Sequence, residues 1–151
     1  MFLRIPALAA IGCSGLFKAF QGGVVERVVS SIEFTVICLC AEWCGTCRDY
    51  RAGFESLSDE FPGMRFRWLD IEDEAEDMGD LDVENFPTLL IRRDDQVLFF
   101  GTMLPHQGHL RRTLETFRDQ SAEESHRYAQ STPERQAWQA DADLLRLSAD
   151  A

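Results

Sequence analysis

Residues 34–41 read FTVICLCA, an uncharged run, and the chain then reaches Cys44-Gly45-Thr46-Cys47 at the head of a helical pattern. A β-branched, apolar segment with no polar side is what a strand needs when both faces of its sheet are covered. Beyond it Tyr50, Phe54, Leu57 and Phe61 recur at intervals of four, three and four, so they line one face of a helix. Pro62-Gly63 ends that helix. A doubly buried strand feeding directly into an amphipathic helix constrains the chain to a sheet with helices packed on both sides.

The other elements follow the same reading. Leu16 to Val29 places Phe17, Phe20, Val24 and Val28 at helical spacing, weakened by Gly22-Gly23. Arg65 to Ile71 predicts a second strand, with Phe66 and Trp68 alternating against arginines. Glu72 to Met78 predicts a short acidic helix. Thr88–Ile91 and Val97–Phe100 predict a hairpin joined by Arg92-Arg93-Asp94-Asp95-Gln96, with Asp94-Asp95 supplying the turn. His109 to Phe117 closes the series, with Leu110, Leu114 and Phe117 on one side. Strands separated by helices imply parallel crossovers, and the last hairpin adds an antiparallel edge, giving an α/β sandwich. The domain spans residues 16–118, between an extension at 1–15 and an acidic C-terminal linker and helix at 119–151. In that last part Ser121 to Ser131 reads as linker. Thr132-Pro133 then starts a helix whose apolar side, Trp138, Leu144 and Leu145, is expected to dock on the domain.

Composition narrows the partners. With 26 acidic against 15 basic residues and a net charge of −11, the chain lacks the Lys and Arg clusters that phosphate contacts require, so nucleic acid is excluded as the main partner. No apolar run reaches the ~18 residues of a membrane helix. Met1 to Cys13, MFLRIPALAAIGC, reads as an extension. Its resemblance to a weak signal keeps an alternative in which the protein is exported or lipid-anchored through Cys13. Four of the five cysteines, Cys38, Cys40, Cys44 and Cys47, fall within ten positions, which is no disulfide framework of a small secreted protein and leans cytoplasmic.

A thiol acts as a nucleophile only as a thiolate, and the unpaired N–H groups of a helix N-terminus stabilise that anion. Cys44 sits where the strand hands over to the helix and is the expected attacking thiol. Cys47, one turn on and less exposed, is the expected resolving thiol. A bare Cys-x-x-Cys also serves as half of a zinc site, but at a strand-to-helix junction it points to redox chemistry.

Ala41-Glu42-Trp43-Cys44-Gly45-Thr46-Cys47 resembles the active-site motif of the thioredoxin family, and Phe86-Pro87-Thr88 resembles its Ile-Pro-Thr, which holds a cis-proline. The similarity runs from about Glu33 to Phe117. It implies a thioredoxin-like fold, a central mixed sheet flanked by helices. It also implies a protein-disulfide reductase acting on disulfide-containing proteins, needing no bound cofactor and recharged by an electron-donating reductase. By the same resemblance Pro87 is cis, Phe86 and Thr88 contact substrate, and Gly101 leaves room for it. Trp43, Gly45 and Thr46 complete the motif.

The departures are as informative. Cys38 stands where the family carries a buried Asp and Trp68 about where it carries a Lys, which leaves open how Cys47 loses its proton. Losing both members of a buried pair together avoids stranding one charge. Thr46 replaces a proline, and the resemblance then implies a couple between about −270 and about −180 mV. Cys38 and Cys40 share one face of a strand. They read as small buried hydrophobes, with two alternatives: auxiliary thiols that relay oxidation, for instance by Cys47–Cys38 exchange, or a four-sulfur metal site with Cys44 and Cys47. His106, His109 and His126 read as exposed or capping residues. The competing function is a partner-binding or co-chaperone module that uses the acidic surface and the C-terminal helix.

Overall fold

The protein is described here from a computed structural model covering residues 33–147. The helix expected at Leu16–Val29 and the segment containing Cys13 lie outside the described residues. Strand β1, Phe34–Cys40, has both faces covered, as its uncharged sequence requires. Phe34, Val36, Cys38 and Cys40 enter one apolar core, Ile37 and Leu39 the other. Helix α1, Gly45–Glu60, lays Cys47, Tyr50, Phe54 and Leu57 onto the first core. Strand β2, Met64–Asp70, pairs parallel with β1, from Phe34 opposite Met64 to Cys40 opposite Asp70.

The next connection departs from the sequence expectation. Strand β3, Thr88–Arg93, runs antiparallel to β1 instead of completing a second parallel crossover. Helix α2, Ala75–Met78, has only four residues and spans about 6 Å, too short to lie along a seven-residue strand of about 23 Å as a crossover helix. Residues 71–87 stay at the end of the sheet where β1 finishes, Ile71 bonded to the Cys40 carbonyl. Thr88 enters opposite Leu39, and β3 runs back. Strand β4, Gln96–Thr102, completes a mixed sheet of order β2-β1-β3-β4. Helix α3, Gln107–Asp119, packs beside α1, and a two-pronged ion pair from Arg111 to Glu60 (2.7 and 2.6 Å) ties the two together.

The hairpin connection is shorter than expected, because β3 continues through Arg93 and only Asp94-Asp95 turn. Asp94 takes a left-handed φ of 51°, which Asp tolerates better than most residues. The two arginines serve as anchors for the C-terminal part. Buried Arg92 donates to the carbonyls of Leu145 at 2.5 Å and Asp94 at 3.0 Å. Arg93 pairs with Glu33 and donates to the Gln120 carbonyl (2.8 Å) and Ser125 Oγ (2.9 Å).

The segment read as a linker is helical. In α4, Ala122–Ala129, Ser121 and Glu124 form a capping box, each side chain bonding the other's backbone N–H. Thr132 caps α5, Pro133–Ala140, as its position predicts. The Asp141 side chain accepts from the N–H groups of Asp143 and Leu144 and starts a separate α6, Ala142–Arg146, so the last helix is two. Docking is extensive. Leu144 and Leu147 are buried with Ile37, Leu39, Leu69 and Leu90 in the second core, worth about 1.5–3 kcal/mol per leucine. Gln139 accepts from the Val97 N–H at 3.0 Å and donates to the Val97 carbonyl at 2.8 Å, closing part of the free edge of β4. Among the described residues no helix is long and apolar enough to cross a membrane.

Candidate active site

Cys44 is the N-cap of α1, with extended backbone angles (φ −78°, ψ 109°). A bond from its N–H to the Ala41 carbonyl (3.0 Å) makes the turn between β1 and the helix. The first helical turn carries no acidic residue, so the partial positive charge of the helix end acts on Cys44 unopposed from its own helix. Cys44 is partly exposed, whereas Cys47 is 1% exposed on the inward face of α1. Gly45 and Thr46, between them, are exposed.

Around Cys44 lies an aromatic platform. Trp43 is 63% exposed, stands edge-on to Phe86 with centroids 5.6 Å apart, and donates its indole N–H to Glu72 at 3.0 Å. The Phe86–Pro87 peptide is cis, the isomer the resemblance implied. Cys44, Phe86 and Met103 all pack on the rim of the first core, and the Met103 N–H donates to the Pro87 carbonyl at 3.2 Å. Thr88 is buried, its hydroxyl donating to the Asn85 carbonyl at 2.7 Å, and so forms part of the loop's frame. Gly101 sits opposite Leu89 and shares a cleft with Asn85, Thr88 and Phe100 that no cysteine lines. The sequence thus brings Trp43, Cys44, Phe86 and Pro87 to one end of the sheet, with Gly101 and Thr88 set to one side.

The sulfurs are arranged differently from the expected Cys44–Cys47 pair. The disulfide joins Cys40 to Cys47, with Cα atoms 6.0 Å apart, inside the usual span for such a bond. Cys38 and Cys44 are free. The cause is the strand's alternation: Cys40 points to the face that α1 crosses, and Cys47 points down onto that face. Cys38 Sγ lies 3.7 Å from Cys40 Sγ and is fully buried. That burial drives the Cys38 thiol far above its ordinary range and keeps it protonated. Cys38 also faces Trp68 across β1 and β2, so the two positions where the family has Asp and Lys are neighbours here and both uncharged. Tyr50, whose buried hydroxyl lacks a hydrogen-bond partner, is pushed in the same direction as Cys38, first by burial and then by that thiol.

Two features escaped the sequence reading. Arg48 reaches back over the motif, its guanidinium donating to the Glu42 carbonyl at 3.5 Å and lying 3.9 Å from where a Gly45 Cβ would be. A cleft of about 260 Å³ lined by Glu42, Cys47, Trp68, Asp70 and Asp73 opens beside the disulfide. The signal for the first was the basic residue directly after Cys47. The second depends on β2 ending beside β1, which no local pattern gives. Glu42, Asp70 and Asp73 form an acidic trio within reach of one ion, and no cysteine belongs to it.

The sequence pattern of the Thioredoxin family matches residues 19–115, more than half of the chain. The chain belongs to the thioredoxin family. It is 30% identical over 74 residues to "Putative thioredoxin 2" of Streptomyces coelicolor, covering 49% of this chain and 55% of that protein. Against the H-type thioredoxin of Picea mariana it is 27% identical over 84 residues, covering 56% and 63%. The chain therefore spans between half and two thirds of the length of these relatives. Among solved structures, thioredoxin from Trypanosoma brucei brucei aligns with a TM-score of 0.53 at 27% identity, covering 62% of this chain and 81% of that one. Thioredoxin f2 in complex with ferredoxin:thioredoxin reductase has the same fold, with a TM-score of 0.52 at 23% identity over 60% of this chain and 82% of that one.

Proposed function

We propose that the protein is a thiol–disulfide oxidoreductase that reduces disulfides in protein substrates, with Cys44 as nucleophile and Cys47 as resolving thiol. The observation that carries this reading is the placement of Cys44: a partly exposed thiol at a helix N-terminus, beside the Trp43–Phe86 platform, with Cys47 buried one turn behind it. Substrate docks on the apolar platform, and Cys44 thiolate attacks its disulfide. The helix end faces that thiolate's charge. Cys47 then attacks Cys44 Sγ and releases the reduced substrate. With no carboxylate at Cys38, the proton of Cys47 leaves through the cleft that Glu42 and Asp70 line.

The exchange needs no bound cofactor. Electrons return from a partner reductase. That a neighbour in fold is seen in complex with ferredoxin:thioredoxin reductase supports a partner of this kind. We place the protein in the cytoplasm. The partner-binding alternative draws less support, because the apolar side of the C-terminal helices is spent on the sheet. Reduction of a disulfide-linked protein such as insulin by limiting dithiothreitol tests the proposal. The wild type accelerates it and Cys44→Ser does not; equal rates for the two would remove Cys44 from the chemistry.

A further inference from the structure

Cys47, the thiol placed to resolve an intermediate on Cys44, is joined to Cys40, and Cys44 is free. Both Cys40 and Cys47 are 1% exposed, at the end of β1 and in the first turn of α1, under the site that Cys44 caps. Cys47 therefore stands between an outer sulfur and an inner one.

We propose that Cys40 is a second resolving thiol, which takes the disulfide from Cys44–Cys47 inward to Cys40–Cys47 and returns Cys44 as a free thiol. This rests on the exchange reading of Cys44. The steps balance. Cys44 thiolate attacks the substrate disulfide, forming a mixed disulfide and releasing one substrate thiol. Cys47 thiolate attacks Cys44 Sγ, forming Cys44–Cys47 and releasing the second substrate thiol. Cys40 thiolate attacks Cys47 Sγ, the Cys44–Cys47 bond breaks, and the electron pair leaves with Cys44, which also takes up the proton that Cys40 gave. In sum one substrate disulfide becomes two thiols, and the Cys40 and Cys47 thiols become one disulfide. Recharging runs the same path outward, from Cys40 to Cys44 to the dithiol of the reductase.

The relay ends at Cys40. Cys38 is fully buried with its Sγ 3.7 Å from Cys40 Sγ, yet it is a free thiol and the disulfide is Cys40–Cys47. The arrangement gives the oxidised protein a property that a two-cysteine site lacks. Its disulfide is shielded, and its outermost sulfur remains a thiol able to form a second mixed disulfide that Cys47 is not free to resolve.

The four central cysteines lie between Arg27 and Arg48 with no Lys or Arg between, so one tryptic peptide, residues 28–48, carries all of them. Fully reduced protein is oxidised with a slight excess of insulin and quenched with acid. It is then labelled with N-ethylmaleimide, reduced, labelled with iodoacetamide, and read by fragmentation of that peptide. The relay predicts that Cys44 carries the first label while Cys40 and Cys47 carry the second. In Cys40→Ala, Cys44 and Cys47 both carry the second label. Wild type with Cys40 on the first label and Cys44 on the second would overturn the relay while leaving the exchange reading intact. If insulin oxidises none of the four thiols, both fail together. The wild-type map alone decides the relay should the variant fold poorly.

Discussion

Replacing Gln139 with alanine removes the side chain that pairs with both backbone groups of Val97. Val97 is fully buried, and its N–H and carbonyl point away from β3 at the sheet's free edge. Each bond is worth about 1 kcal/mol net, so the loss is about 2 kcal/mol, rising if water does not reach the orphaned groups. For a chain of 151 residues, about 2–4 °C per kcal/mol puts the fall in Tm at about 4–8 °C. Gln139→Glu separates the two bonds. It keeps an acceptor for the Val97 N–H but sets a carboxylate oxygen against the carbonyl, so it destabilises at least as much as alanine. Urea unfolding gives the stabilities, and amide exchange at Val97, slow in the wild type, becomes fast in both variants. A change below about 0.5 kcal/mol in Gln139→Ala, with Val97 exchange unaltered, would refute the edge-closing role.

Three further predictions concern the frame of the site. Gly79 has φ +58°, and a Cβ there would lie 2.2 Å from Asp143 Oδ1, so Gly79→Ala loosens α6 from α2 and costs about 1–3 kcal/mol in urea unfolding. Burial raises the titration of Cys38 and Tyr50, so the folded chain keeps protons that the unfolded chain gives up. Stability is therefore full below about pH 8.5 and falls as pH rises further; urea midpoints that stay level to about pH 10 would contradict this. Cys38→Asp restores the family's carboxylate without a lysine to meet it, beside Trp68 and fully buried. It lowers stability by several kcal/mol, more at neutral pH than near pH 4, and an unchanged urea midpoint would show that the site tolerates the charge.

The sequence made the site's outer half legible because its signals are local. The uncharged run of β1, the Cys44 turn and the face of α1 lie within consecutive residues, and Pro87 sits inside a recognisable tripeptide. The direction of β3 was not local, since it depends on the end of β1 at which the chain re-enters the sheet after α2. The helicity of Ser121–Ser131 was legible in principle, through the Ser121–Glu124 capping box, but polar composition masked it. Arg92 and Arg93 read as turn residues because the C-terminal carbonyls they anchor, those of Leu145 and Gln120, lie 53 and 27 positions later in the chain. The Cys40–Cys47 bond escaped for a similar reason. Strand alternation put Cys40 on the right face, but only the crossing of α1 over that face brings Cys47 to it.

If Cys44 opens the reaction, its mixed disulfide with substrate can be trapped. Cys47→Ala, checked for native circular dichroism, removes the sulfur through which either inner thiol acts. Mixed with a disulfide-linked protein, it is expected to form a stable covalent adduct through Cys44, which dithiothreitol dissolves and which Cys44→Ser does not form. An adduct through another cysteine, or none at all, would contradict that role for Cys44.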